Sequence, residues 1–296
     1  MSAAAGVSGR PAAEPSAGSG AGSGAGSPAG SGAARAGRAV RGYAPALLVA
    51  AGGLLAWELA IRLADLNAFI LPAPSAIIGA LVANWNGERF PLWQSAQNTI
   101  IEAVGGFLIG TTAGVVVAFL AARWGGMRAL LLPLAVAANA IPIIAFAPLF
   151  NTWFGLLNPL SKMMMAAVLS FFPVMANVTR GLSGVDPAQL ELMRSFAAPQ
   201  RTVLLKVRIP NALPYFFTAI KLASTLSLIG AIVAEYFGGQ GSVLGRMIVQ
   251  SASALKFDIT WAAVSLAAIA GIVFYLLIAL VERIAIPWHA SSRSEG

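Results

Sequence analysis

Few residues of this 296-residue chain could do chemistry, and their surroundings narrow what that chemistry is. Four ionisable side chains, Glu58, Glu102, Lys221 and Glu235, stand inside long apolar runs. A charge near the middle of a bilayer costs roughly 2.5–3.5 kcal/mol on insertion scales, so such residues point to a path for a polar solute or to a buried pair. Lys221 can also snorkel or pair with an acid. Glu235, near the outer end of its run, is the candidate for gating or solute contact, with a helix-end or paired charge as the competing reading. Asn139 could offer an amide to a polar solute, and Phe172 could stack on a flat ring. Pro142, inside an apolar run, frees a backbone carbonyl and permits a kink. These three could equally do no more than pack helices.

Other chemistries are excluded by what the chain lacks. With no cysteine there is no disulfide framework, thiolate metal site or cysteine nucleophile. The single histidine, His289, lies beyond the last apolar run, and nothing beside it completes a metal set. A phosphate-binding loop needs Gly-x-x-x-x-Gly-Lys-Ser/Thr, but the four lysines are followed by Met163, Val207, Leu222 and Phe257. Gly238-Gly239-Gln240-Gly241 lacks the strand–turn–helix setting of a dinucleotide fingerprint and reads as a turn. No Gly-x-Ser-x-Gly nucleophile turn is present. The chain is therefore expected to be no enzyme and to carry no cofactor or metal.

The elements that position these residues follow from composition. Hydrophobic residues make up 58% of the chain and charged residues 10%, with a mean hydropathy of +0.78, far from a soluble globular domain. A span needs roughly 20 apolar residues to cross ~30 Å of hydrocarbon. Six runs qualify, at about 44–64, 98–121, 127–149, 160–180, 211–236 and 262–284. Backbone groups in lipid must be satisfied within the segment, so these are helices, and the fold class is an all-α polytopic membrane protein. The many Gly and Ala residues favour close helix contacts. Residues 1–42 are Ala, Gly, Ser, Pro and Arg with almost no larger apolar side chain, a composition expected to be disordered. The spanning domain is expected over 43–289, followed by a short tail at 290–296.

Charge orients the bundle. If the N-terminus is cytoplasmic, six spans place both termini and the loops near 122–126 and 181–210 on that side. Thirteen basic residues then fall inside and five outside (Arg62, Arg89, Lys162, Arg246 and Lys256), with Lys221 in a span. That follows the positive-inside bias. The +8 net charge is thus an address label plus attraction to anionic headgroups, and no separate basic domain argues for nucleic-acid binding.

Between the fourth and fifth runs lies the polar, basic stretch Asp186–Pro214. Asp186 can cap a helix, Pro187 suits its first position, and Gln189 stands as a capping-box partner. Along that helix Leu190, Met193 and Ala197 share one face with Leu192 and Phe196 beside them, while Glu191, Arg194 and Ser195 are polar. Pro199 restarts an amphipathic turn that Pro210 closes. Amphipathicity alone leaves two occupants open, a soluble partner or the bilayer surface.

This stretch resembles the EAA loop of ATP-binding-cassette importer permeases, of the nitrate/sulfonate/taurine type. Glu191-Leu192-Met193 occupies the Glu-Ala-Ala positions, Ala197 the Gly position and Ile209-Pro210 the hydrophobic-Pro end. Leu192, Met193 and Ala197 depart from the pattern, and Ala is costlier than Gly at a positive φ. Leu71-Pro72-Ala73-Pro74-Ser75 resembles the family's entry to an external amphipathic helix. Pro142 with Ala147-Pro148-Leu149 and Trp153-Phe154-Gly155 is similar to its "P…APL…WFG" stretch, and Gly230–Glu235 with Gly241–Gly245 to its fifth span and turn. The resemblance covers about residues 44–289. Met193–Pro199 and Leu213–Lys221 are also similar to members handling thiamine-precursor pyrimidines or riboflavin.

The resemblance implies two permease subunits forming the pathway, a cytoplasmic ATP-binding subunit docked on the loop, and an extracytoplasmic solute-binding protein. It places the chain in the inner membrane, with ATPase coupling through Leu190, Glu191, Met193, Arg194, Phe196, Ala197 and Pro210. The solute is expected to be small and polar or anionic. An ion-gradient-driven secondary transporter is the rival class, and would more often show internal repeats and further spans.

Overall fold

The computed structural model describes residues 31–63, 71–138, 142–239 and 242–287. Two units are distinguished, Met1–Pro45 with Gly296, and Ala46–Glu295. Of the first, only helical backbone from Ser31 is described; it belongs to α1 (Ser31–Leu63). Residues 31–42, expected to be disordered, are described with helical backbone, and the boundary expected at 42/43 falls within α1. The physical reason is composition: Ala and Arg, both strong helix formers, dominate that stretch. Residues 1–30 and 290–296, and His289, lie outside the described residues.

In the second unit, helix follows helix, with no strand among the described residues. The elements are α2 (Pro74–Ala83), α3 (Leu92–Arg123), α4 (Gly125–Ala138), α5 (Ala147–Phe154), α6 (Pro159–Ser183), α7 (Pro187–Ser195), α8 (Gln200–Val203), α9 (Ile209–Tyr236), α10 (Leu244–Ser253) and α11 (Phe257–Ala285). Four helical runs are long and apolar enough to cross a membrane: Leu92–Arg123, Pro159–Ser183, Gln200–Tyr236 and Phe257–Ala285. They match four of the six expected spans. The run expected at 44–64 lies in α1, which is not one of the four. The run expected at 127–149 is divided between α4, a 3₁₀ turn at Ile143–Phe146 and α5. Proline explains the division, because each one removes an amide donor. Pro133 sits inside α4, Pro142 precedes the 3₁₀ turn, and Pro148 is in the first turn of α5.

The core is where α3, α6 and α9 approach one another. Gly106, Gly110 and Gly114, four residues apart, line the face of α3 that meets α6. A Cβ on Gly114 would lie 2.9 Å from the Phe171 carbonyl oxygen, so the two backbones are nearly in contact. From the other side, a Cβ on Gly230 of α9 would lie 2.9 Å from Ala166 Cα. Small residues let spans associate through dispersion where water cannot drive them together. By contrast α11 turns Ile272, Leu276, Leu280 and Ile284 outward, as a face bathed in hydrocarbon would. It is tied to the core by Phe107 against Phe274, edge to face at 5.1 Å, and by Lys221 Nζ to Glu282 Oε2 at 2.6 Å. The acid expected beside Lys221 is therefore Glu282. Glu58 pairs within α1 with Arg62 and also accepts from the Ser75 amide at 3.1 Å.

Candidate functional site

Two polar regions stand at opposite ends of the α3–α6–α9 core. The chain direction shows this: α6 runs into the Asp186 loop and α9 runs away from it, so the start of α6 and the end of α9 meet far from the loop.

At the loop end, local chemistry builds α7. Asp186 accepts from the Ala188 amide at 2.9 Å and Pro187 occupies the first turn, as the capping residues predict. The helix ends in a Schellman arrangement: the Ala198 amide donates to the Met193 carbonyl at 3.0 Å and the Ala197 amide to Arg194 at 2.9 Å. That closure requires a left-handed residue, and Ala197 takes it with φ 46°. The bend is made, but by an alanine under strain. No residue of α7 is buried. Leu190 and Met193 are half-buried, whereas Leu192 (56%) and Phe196 (73%) are exposed beside exposed Glu191 and Arg194. The outward apolar pair is thus Leu192 and Phe196, with Leu190 and Met193 turned partly inward.

The second half of the loop departs from expectation. Pro210 does not close a separate element; it lies in the first turn of α9, inside a helical run that is continuous from Gln200 to Tyr236. Leu204–Arg208 is a π turn, in which the Ile209 amide reaches back to the Leu204 carbonyl. Pro210 has no amide to give, and the wider turn just before it accommodates the missing donor. The second half of the loop, from Gln200, is therefore one continuous helical run with the span. Asn211 Nδ2 donates to the Gly181 carbonyl at 2.8 Å, which fixes the two ends of the loop to each other.

At the far end, Glu235 is fully buried (0% exposed) rather than facing solvent. Its Oε2 accepts from the Gly245 amide at 2.6 Å. Glu102 of α3 is also buried, 6% exposed. Lys162 is 1% exposed and its Nζ donates to the Leu156 carbonyl. Lys162, counted among the five basic residues on the outer side, lies in the first turn of α6, which begins at Pro159. Sequence reasoning missed Lys162 and Thr99; the available signal was a lysine followed by Met163-Met164-Met165, too apolar a context for a solvated loop.

Of the other pathway candidates, Pro142 and Phe172 are among the described residues. Pro142 is exposed and starts the 3₁₀ turn, instead of kinking a continuous span. Phe172 is half-buried in α6, edge to face with Phe171 at 5.0 Å. Asn139 lies outside the described residues. Among those residues, no group of three or more His, Cys, Asp or Glu could hold a metal ion.

Comparison with known proteins gives a consistent set of similarities. Residues 110–288 match the family model described as binding-protein-dependent transport system inner membrane component. A probable ABC transporter permease protein of Haemophilus influenzae is 34% identical over 217 residues, covering 73% of this chain and 86% of that protein. A putative aliphatic sulfonates transport permease protein of Bacillus subtilis is 30% identical, covering 86% and 91%. A riboflavin transport system permease protein of Chloroflexus aurantiacus is 28% identical, covering 80% and 87%. In fold, the crystal structure of an amino acid ABC transporter with histidines is similar with a TM-score of 0.52 at 18% identity, covering 71% of this chain and 94% of that one.

Proposed function

We propose, for a chain that belongs to the family of binding-protein-dependent transport system inner membrane components, that it is the permease subunit of an ATP-driven importer whose coupling element is α7. The observation that carries this reading is the outward apolar pair Leu192 and Phe196, flanked by Glu191 and Arg194, on a helix with no buried residue. Such a knob is complementary to a groove on a soluble partner, and the partner in this reading is a cytoplasmic ATP-binding subunit. Closure of that subunit can bias an inward-facing/outward-facing equilibrium only if its grip on α7 differs between the two states. The continuous helix from Gln200 through the π turn into α9 would carry that difference into the bundle.

In this reading both termini are cytoplasmic, as the basic residues argue, and a solute-binding protein approaches from the other side. A second copy of the chain completes the pathway within the bilayer. The solute is a small polar or anionic organic molecule, of the sulfonate or vitamin-precursor kind named for its relatives. Glu235 belongs to the gate, and Phe172, Pro142 and Asn139 are the candidates for solute contact.

The test is ATPase stimulation by loaded binding protein in reconstituted vesicles. Glu191→Lys should lower that stimulation by about tenfold, equivalent to ~1.4 kcal/mol of coupling, with assembly intact. Undiminished stimulation would remove Glu191 from the contact.

A further inference from the structure

Asparagines in this bundle usually find a backbone partner. Asn84 and Asn177 donate to the carbonyls four residues back, at 2.9 and 2.8 Å. Asn98 and Asn211 reach the Ser242 and Gly181 carbonyls at 2.7 and 2.8 Å. Asn151 of α5 does neither. It is 7% exposed, and both ends of its amide, Nδ2 and Oδ1, are buried with no hydrogen-bond partner among the described residues. Turning the amide over would change nothing, since donor and acceptor are both unpaired. The local bond was within reach, for the next residue, Thr152, donates to the Pro148 carbonyl at 3.0 Å. A buried amide left unpaired destabilises a fold, whereas an apolar side chain in its place does not. Packing therefore does not explain Asn151.

The residue stands at the far end of the bundle, beside the turn that follows α9. A Cβ on Gly238 would lie 3.6 Å from Asn151 Nδ2 and would overlap Leu156 Cδ1, so Asn151 and Leu156 adjoin over the same glycine. Leu156 is itself 52% exposed. It belongs to a short turn in which the Asn158 amide donates to the Gly155 carbonyl at 3.1 Å, with Gly155 at φ 95°. Phe154, three residues after Asn151 and so its neighbour on the helix surface, has a half-buried ring stacked on Phe150 at 6.2 Å.

We propose that Asn151 is a solute-recognition residue at the outer mouth of the pathway, taking a flat nitrogen heterocycle by an edge on which an N–H stands beside an acceptor. The assignment rests on the importer reading in one respect, that solute enters at this end. The ligand class follows from the amide. Its Oδ1 accepts and its Nδ2 donates, side by side, so a ring edge with N–H next to a carbonyl or ring nitrogen satisfies both, as adenine does in its paired contact with asparagine. A sulfonate only accepts. It would satisfy Nδ2 and leave Oδ1 buried and unpaired, and a site built to bond a donor rejects an analogue that lacks one. Of the two kinds of solute considered for this chain, Asn151 therefore selects the heterocycle. Phe154 offers the ring a face to stack on, and Leu156 is the cover that moves off Gly238 to admit it.

The test uses the purified full chain in detergent, in a Leu156→Ala background so that the cover does not limit access. Equilibrium dialysis is run with three probes: riboflavin, 4-aminopyrimidine and ethanesulfonate. At least one heterocycle should be retained at least tenfold better than ethanesulfonate, and adding Asn151→Leu should abolish that preference. The same Asn151→Leu chain should unfold at a higher temperature than its Leu156→Ala parent, because it deletes a buried unpaired amide, keeps the branching at Cγ and has the room that Leu156→Ala leaves. That rise separates lost recognition from a damaged fold. Heterocycle retention no better than that of ethanesulfonate, a preference that survives Asn151→Leu, or an unfolding temperature no higher than the parent's would overturn the proposal. An amide held only by an ordered water gives the second of these results. The measurement needs no ATPase subunit or binding protein, so its outcome is separate from that of the coupling test.

Discussion

At the end of the bundle where α6 starts and α9 finishes, Glu102, Lys162 and Glu235 are withdrawn from the surface, with Glu235 bonded to the first turn of α10 and Lys162 to the Leu156 carbonyl. At the opposite end, α7 holds Glu191 and Arg194 outward and exposes Leu192 and Phe196 beside them. One end keeps its polar groups inside the protein. The other has groups that only another surface can satisfy. The difference teaches where substitutions should act on stability and where they should act on coupling: the first end holds the protein's own closure, the second its connection to something else.

The sharpest way to break this contrast is Lys162→Met. Lys162 is 1% exposed with its ammonium on the Leu156 carbonyl, and a hydrogen bond to a charged group is worth about 1.5–3 kcal/mol, so the thermal unfolding midpoint in detergent should fall; a midpoint unchanged from the parent would mean this contact holds nothing together. Next in size is Gly114→Val, which forces a side chain against the Phe171 carbonyl oxygen where α3 meets α6. Overpacking costs about 1–3 kcal/mol, again read as a lower midpoint. The Lys221–Glu282 pair offers a third probe, since polar contacts between spans are worth ~0.6–1.7 kcal/mol. Glu282→Gln should lose that amount, and the exchange Lys221→Glu with Glu282→Lys should recover most of it.

The loop end should behave differently. Ala197→Gly should raise stability by about 1 kcal/mol, because glycine adopts the left-handed conformation without the Cβ penalty that Ala197 bears. Phe196→Ser should leave the midpoint within ~0.5 kcal/mol, as surface changes do, while reducing ATPase stimulation. A large loss of stability from Phe196→Ser would erase the contrast between the two ends.

How much of this could be read from the chain depended on distance along it. The start of α7 was legible because Asp186 and Pro187 act on amides one or two residues away. The apolar runs that became α3, α6, α9 and α11 were legible because length and hydropathy suffice to define a span. The buried polar end was not, since Thr99, Glu102, Lys162, Glu235 and Gly245 come from four helices and their burial follows only from packing. Lys162 was not legible as buried for that reason: as an isolated charge near a helix start it reads as exposed. The division of 127–149 was also hidden, because three prolines and an apolar composition fit a kinked span as well as separate short helices. The outward residues of α7 were identified as a set but not by face, because Leu190 and Met193 turn inward only relative to a bundle that the local sequence does not describe.

The central claim is that α7 receives force from a separate ATP-hydrolysing subunit. It is tested most directly by placing the only cysteine of the chain at Phe196 and crosslinking in membranes that contain the whole importer. The account predicts a covalent link between Phe196→Cys and the ATP-binding subunit, with a yield that changes when ATP is bound. Labelling of the same cysteine by an impermeant maleimide from outside intact cells, or solute uptake by this chain with no ATPase subunit present, would contradict it.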